Sequence, residues 1–229
     1  MYVYARLFAG TIPVSEVWHT LVPAVAGASA LVSAGAALIE TDLKRIIAYS
    51  TISQLGFILL GLSLGSVMGV GGALLYILMH GISKGGLFLC AGIVEQKTHQ
   101  KDITKLGGLA KTMPITALSF LFCAFSVMGL PPFGGFFSKY MVMVSVFQAG
   151  QFWIGSMFLV GACLTVIYLL RVFTFVFLGV SRDEKQLVPE GSLVMVVSVA
   201  FLGVLSLASG FLVGYPATFL SATVRQMAG

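Results

Sequence analysis

The sequence predicts an all-α, polytopic membrane protein of about six transmembrane helices, and two observations carry that prediction. Of the 229 residues, 58% are hydrophobic and only 9% are charged, where a soluble domain carries about a quarter charged. The apolar residues also gather into successive runs close to the roughly 20 residues that a helix needs to cross about 30 Å of hydrocarbon. A net charge of +5 would suit a nucleic-acid binder, but the basic residues sit in short loops between the runs and form no patch, so no nucleic-acid partner is expected and lipid surrounds the chain. Cys90, Cys123 and Cys163 lie inside apolar runs without CxxC or metal-ligand spacing, which argues against a disulfide frame, a bound metal or thiol redox chemistry. No phosphate-cradling glycine loop, nucleophile elbow or haem ligand pair is present; neither a cofactor nor a catalytic residue is expected.

Residues 1–19 form a stub with a polar turn around Pro13, Ser15, Glu16 and His19, too short to span. A first span is expected over Leu21–Ile39, rich in the Ala, Gly and Ser that let helices approach closely in lipid, and Glu40, Asp42, Lys44 and Arg45 end it. The second, Ile46–Leu64, begins with Tyr49, Ser50, Thr51, Ser53 and Gln54, and a short uncharged link leads to the third, Val67–Val94. A loop from Glu95 to Lys111 precedes a fourth span that starts near Pro114, a residue suited to the first turn of a helix, and that is interrupted at Gly129–Gly135. The fifth runs over Phe152–Val180, and a polar loop with Arg182, Asp183, Glu184, Lys185 and Glu190 leads to a sixth, Leu193–Val213.

Alternating crossings place Lys44, Arg45, Lys97, Lys101, Lys105, Lys111, Arg182 and Lys185 on one side, and only Arg6 and Arg225 on the other. The positive-inside bias makes the first side cytoplasmic and both termini non-cytoplasmic, as expected for the inner membrane of a prokaryotic cell. Termini so placed are an uncommon start to insertion and suggest that helices precede Met1.

Intramembrane ionisable groups carry the functional signal. In the third span Tyr76, His80 and Lys84 are spaced four apart and share one face, beside Gly81, Gly85 and Gly86. A lysine at mid-span costs about 2.5–3.5 kcal/mol on insertion scales, so it marks an ion path or a polar partner. His80 exchanges protons near neutral pH. The competing reading is a satisfied core histidine and a snorkelling lysine, although mid-span is far for the lysine stem. The second constellation runs from Gly129 to Lys139. Pro131 and Pro132 remove two backbone donors while Gly134 and Gly135 admit irregular dihedrals, so the helix breaks inside the membrane, with Lys139 just beyond. Broken helices beside a charge build transporter ion sites; a proline kink with a snorkelling lysine is the alternative. Ser50, Ser53 and Gln54, and separately Ser119, Cys123 and Ser126, either wire the two lysines together or only pack helices. Arg171 lies near a span end and reads at least as well as a snorkelling residue, while His19 and His99 fall at or outside the interfaces and are expected to be solvated.

Three stretches resemble a known family: ALIETDLKRIIAYSTISQLGFILLG from Ala37 to Gly61, LMHGISKGGLFLCAG from Leu78 to Gly92, and GLPPFGGFFSK from Gly129 to Lys139. Together they are similar to the antiporter-like membrane subunits of respiratory complex I, of multisubunit sodium/proton antiporters and of membrane-bound hydrogenases. The resemblance implies an inverted pair of five-helix repeats, of which this chain is similar to the second. Residues 1–19 would be the stub of a preceding helix and outer loop. Residues 20–180 would form the translocating repeat with its fourth helix broken at 129–135, and residues 181–229 a loop and one further helix. It implies that Lys84 is the lysine of the intact channel helix, His80 the histidine one turn before it, and Lys139 the lysine of the broken helix leading outward. Tyr76 stands where relatives carry another histidine, and Tyr140 where some carry an acid.

The expected function is proton translocation by a non-redox subunit of an energy-converting oxidoreductase such as NADH-quinone oxidoreductase, without a catalytic centre on this chain. A multisubunit sodium/proton antiporter without electron transfer, or a truncated, non-translocating scaffold, are the alternatives. The expected partners are other membrane subunits, including one that supplies the first repeat and its intramembrane glutamate, and membrane lipids.

Overall fold

The computed structural model describes residues 16–179 and 189–214, with Met1 and Val3. Among them, regular structure is helical apart from one isolated bridge between Asp42 and Asp102. Helix α1 (Glu16–Ile39) presents Ala26, Ala30, Ala34 and Ala37 as a buried stripe, and α2 (Leu43–Ser63) meets that stripe at Gly56, where any Cβ would strike the Ala26 carbonyl. The Asp42 carboxylate caps α2 by accepting from the Arg45 N–H at 3.0 Å. Helix α3 (Val67–Thr98) is capped in the same way by Ser66 and closes on His99 in the left-handed region, φ 52°.

The expected interruption is real and narrower than the sequence suggests. Helix α4 (Pro114–Met128) stops at Gly129, whose φ of 81° is left-handed and whose N–H returns to the Phe125 and Ser126 carbonyls. Helix α5 (Gly134–Gln148) then begins, so the break spans 129–133. Gly134 and Gly135 therefore open a helix rather than break one. Their role is close approach: a Cβ on Gly135 would collide with the Ser126 carbonyl, and one on Gly134 with Met79 and Ser209. At 15 residues each, α4 and α5 rise about 22 Å, too little for either to cross alone. Helix α6 (Phe152–Phe173) continues into a wide turn over Thr174–Leu178, and α7 (Leu193–Phe211) completes the described residues. Five helical segments, Val17–Ile39, Leu43–Ser63, Val67–Thr98, Phe152–Leu178 and Leu193–Phe211, are long and apolar enough to cross; α4 and α5 together make the sixth passage. Val32 and Trp153 at 74% and Leu193 at 79% stand exposed on the outside, as lipid permits.

Some boundaries shift. α1 starts at Glu16, before the expected Leu21, and takes up Glu16 and His19; α3 runs one turn beyond Val94, so Glu95 and Lys97 are helical rather than in the loop. Val180, Arg182 to Lys185, Arg6 and Arg225 lie outside the described residues.

Two sets of ties fix the ends. At the basic end the Leu43 N–H donates to the Lys101 carbonyl and the Ile103 N–H to the Thr41 carbonyl, both at 2.9 Å. The wide turn ending α6 leaves the Val176 and Phe177 carbonyls to accept from Leu109 and Ala110. Lys44 and Lys101 both reach Glu95, at 2.8 and 3.5 Å. At the other end the His19 ring Nδ1 lies 2.8 Å from the Ser63 carbonyl and Gln151 Nε2 donates to the His19 carbonyl at 3.0 Å. His19 is thus a half-buried clamp rather than a solvated residue.

Candidate functional site

The face of α3 that carries Tyr76, His80 and Lys84 is turned toward α2 and α6. Lys84 is 5% exposed and lies about 25 Å of helix rise from Val67 and about 21 Å from Thr98, at mid-span. Its ammonium does not snorkel. Nζ donates to the Ile47 carbonyl at 3.0 Å and to Ser50 Oγ at 2.7 Å, and the same Ser50 oxygen accepts from the Tyr168 hydroxyl at 2.7 Å. One turn along α2, Gln54 accepts from the Tyr76 hydroxyl and donates through Nε2 to Thr165 Oγ1 at 3.2 Å. Two residues of α2 therefore bridge α3 and α6, and Ser50, Gln54, Tyr168 and Thr165 are all fully buried. A buried polar layer so completely paired holds its members in one arrangement.

Between these two bridges the pairing lapses. Ser53 Oγ on α2 and His80 Nδ1 on α3 are buried without a hydrogen-bond partner in the structure. An unmatched buried polar group costs about 1–3 kcal/mol. The His80 ring stands edge-on to Tyr76 at 6.5 Å.

Lys139, 6% exposed, is held by the break itself. Its stem packs across Gly129, leaving no room for a Cβ there, and Nζ donates to the Met128 carbonyl at 3.3 Å. That carbonyl belongs to the last turn of α4, where the helix leaves its acceptors unpaired and its dipole is negative. Nζ also lies 5.6 Å from the centre of the Phe57 ring, a cation–π contact. Phe57 follows Gln54 on α2, so one helix touches both lysine sites.

Of the second set of small polar residues, Ser119 backs onto Gly203, Cys123 onto Gly86 and Ser126 onto Gly135, so they pack helices together. Arg171 is structural: Nη1 donates to the Leu38 and Glu40 carbonyls at 2.6 and 3.0 Å, closing the end of α1. Sequence reasoning missed Tyr168, Thr165 and Phe57; the first two, three apart in a mostly apolar span, left a faint signal, and Phe57 left none.

Residues 1–165 match the family described as NADH:quinone oxidoreductase/Mrp antiporter, TM. The chain is 40% identical over 148 residues to NADH-quinone oxidoreductase subunit N of Desulforudis audaxviator, covering 65% of this chain and 30% of that protein. It is 34% identical over 168 residues to an Na(+)/H(+) antiporter subunit of Alkalihalophilus pseudofirmus, covering 73% and 34%. The fold matches a chain of the Mrp complex from a Dietzia species with a TM-score of 0.86 at 26% identity, over 100% of this chain and 52% of the other. Respiratory complex I from Thermus thermophilus with bound NADH gives 0.82 at 26% identity, over 92% and 45%. The chain spans about a third of the length of the two curated relatives. On this match and its apolar helices it is an integral, multi-pass membrane protein that belongs to the NADH:quinone oxidoreductase/Mrp antiporter transmembrane family.

Proposed function

We propose that the chain translocates protons as a non-redox membrane part of an energy-converting oxidoreductase of the NADH-quinone oxidoreductase kind, with Lys84, His80 and Lys139 as the relay. The observation that carries this reading is the pair of membrane-buried lysines, both seated against α2, with His80 one turn before Lys84 on α3. Buried ionisable groups inside spans are costly and mark ion paths. Residues 20–180 act as the five-helix translocating repeat, and 181–229 add a loop and a further helix. The lysine-rich end faces the cytoplasm. The eight acids of the sequence lie in loops or at span ends, so an intramembrane glutamate for the relay comes from outside these 229 residues, with the companion repeat.

Sodium/proton exchange without electron transfer is the second reading, favoured by the likeness to an Na(+)/H(+) antiporter subunit and to the Mrp complex. Quinone-site and iron–sulfur subunits in the purified complex separate the two: their presence supports the first reading and their absence the second. Lys139→Ala tests both. Ion movement per turnover in reconstituted vesicles is expected to be lost while the complex still assembles; movement at the wild-type level removes Lys139 from the path.

A further inference from the structure

Helix α7 has no part in the proposed relay, yet it reaches both of the elements that carry its lysines. Val197, Phe201 and Val204 stand exposed on its outer side. Leu202, Ser206, Ser209 and Gly210 recur at helical spacing and share another face, turned into the bundle.

The first half of that face meets α3. Leu202 lies along Gly85 and Gly86, where an added Cβ would stand 3.7 and 3.5 Å from it. One turn on, Ser206 Oγ lies 3.2 Å from Ser83 Oγ, both buried. Ser83 already gives its one proton to the Met79 carbonyl at 2.9 Å, so Ser206 is the donor between the two hydroxyls. Ser83 adjoins Lys84 and Met79 adjoins His80; α7 therefore grips α3 at the turn that carries the relay. The second half of the face meets the break. Ser209 Oγ and Met79 Sδ close together on Gly134, the first residue of α5, and Gly210 lies so near the Pro132 carbonyl that no Cβ fits. Ser209 is itself held by donating to the Ser206 carbonyl at 2.8 Å. The start of α5 is thus pinned between α3 and α7, and Lys139 follows five residues later, about 7.5 Å along the helix. Interhelical hydroxyl contacts add little to helix association in lipid, so what these contacts decide is where the two elements stand.

We infer that α7 is a positioning helix, and that Ser206 and Gly210 fix the break, and Lys139 with it, against the turn of α3 that bears His80 and Lys84. Each acts through another group, Ser206 through Ser83 and Gly210 through the Pro132 carbonyl. The effect on transport rests on the relay proposed above; the effect on geometry rests on the contacts alone.

The test uses the intact complex in its membrane, with spin-label amino acids at Leu78 on α3 and Tyr140 on α5, both about half exposed, to report the distance between the two elements. Gly210→Ala is expected to shift that distance by about 1–2 Å, the room that a methyl lacks beside Pro132. In the unlabelled complex it is expected to cut ion movement per turnover by more than about tenfold, since a misplacement of about 1 Å suffices for a loss of that order. Gly214→Ala, whose methyl meets open space, is the control and changes neither. Ser206→Ala removes the donor without adding bulk and leaves Ser83 its bond to Met79; transport is expected to fall about fivefold with assembly intact, and Ser206→Thr, which returns the hydroxyl, to restore it. An unchanged distance in Gly210→Ala, a Ser206→Ala loss that Thr does not restore, or wild-type transport in either variant while Lys139→Ala is dead each overturn the inference; if Gly210→Ala does not assemble, the Ser206 pair decides. The distance needs no turnover, so the two proposals fail separately. A shifted distance beside normal transport in Lys139→Ala would remove the relay and keep the positioning helix; an unchanged distance beside a dead Lys139→Ala would do the reverse.

Discussion

Lys84 and Lys139 are both buried lysines in the same membrane, yet they are seated differently. Lys84 has two oxygen acceptors at 3.0 and 2.7 Å, and one of them is itself fixed by the Tyr168 hydroxyl. Lys139 has a single acceptor at 3.3 Å, an aromatic face and a cavity at its side. The difference follows from the backbone. An unbroken α3 offers Lys84 no free backbone acceptor of its own, so a neighbouring helix supplies oxygens at fixed positions. The break between α4 and α5 frees a terminal carbonyl and loosens the packing around Lys139. One site is rigid and fully lined; the other is open.

Arginine at each position sharpens the comparison most. Around Lys84 a larger head must displace Ser50 and the fully buried Tyr168, and overpacking of this kind costs about 1–3 kcal/mol. Lys84→Arg is therefore expected to abolish transport and lower the thermal stability of the complex. Lys139→Arg has the neighbouring cavity to expand into and is expected to keep normal stability. Equal melting behaviour of the two variants would show that the rigid and open descriptions are mistaken.

His80→Ala comes next. The ring lies one turn before Lys84 on α3 and has a buried Nδ1 without a partner, so its removal leaves no new unmatched group behind. Transport is expected to fall by about tenfold, the equivalent of about 1.4 kcal/mol, but less than in Lys84→Ala, with assembly unchanged. Equal and complete loss of transport and assembly in both variants would mean that α3 has collapsed.

Tyr168→Phe probes the rigid site alone. It removes one hydroxyl from Ser50 and leaves Lys84 its two acceptors, a net cost of about 1 kcal/mol. A small drop in melting temperature is expected, with a severalfold loss of transport; an unchanged melting temperature would show that the Ser50 bridge contributes nothing to the fold.

Much of this was legible in the sequence because lipid makes charge conspicuous. Lys84, His80 and Lys139 stand out for being ionisable inside apolar runs, and Pro131 and Pro132 for lacking donors. What stayed hidden is what depends on neighbours across the bundle. Tyr168 and Thr165 are ordinary residues in an apolar span until α2 brings Ser50 and Gln54 beside them. Gly134 and Gly135 looked like breakers because glycine serves both irregular dihedrals and close approach, and only the position of Ser126 shows that the second applies. Ser119, Cys123 and Ser126 share helical spacing with a polar wire, but they face glycines of other helices, or of α5, rather than the lysines. His19 belongs to the first turn of a helix that the apolar run alone does not reveal, and its clamp onto Ser63 joins residues far apart in the chain.

The smallest expected effect lies at the basic end, away from both lysine sites. Asp102 Oδ1 accepts from the Thr104 hydroxyl at 2.7 Å and from the Thr104 N–H at 2.9 Å, shaping the turn whose neighbours Lys101 and Ile103 tie the α3–α4 loop to the start of α2. The Thr104 hydroxyl, foremost, and the Thr104 N–H hold the Asp102 carboxyl below its usual range. A carboxyl more acidic in the folded state stabilises the fold above its unfolded pKa, about 3.9, and loses that contribution as pH falls through the lower folded value. Asp102→Ala is therefore expected to lower the melting temperature of the complex by about 1–3 °C near neutral pH. The gap to the wild type should hold down to about pH 5 and close below about pH 4. Transport is expected to stay at the wild-type level, since neither lysine site moves. A gap that persists unchanged into acid would mean that the Asp102 charge contributes nothing and that the side chain acts through hydrogen bonds that survive its protonation.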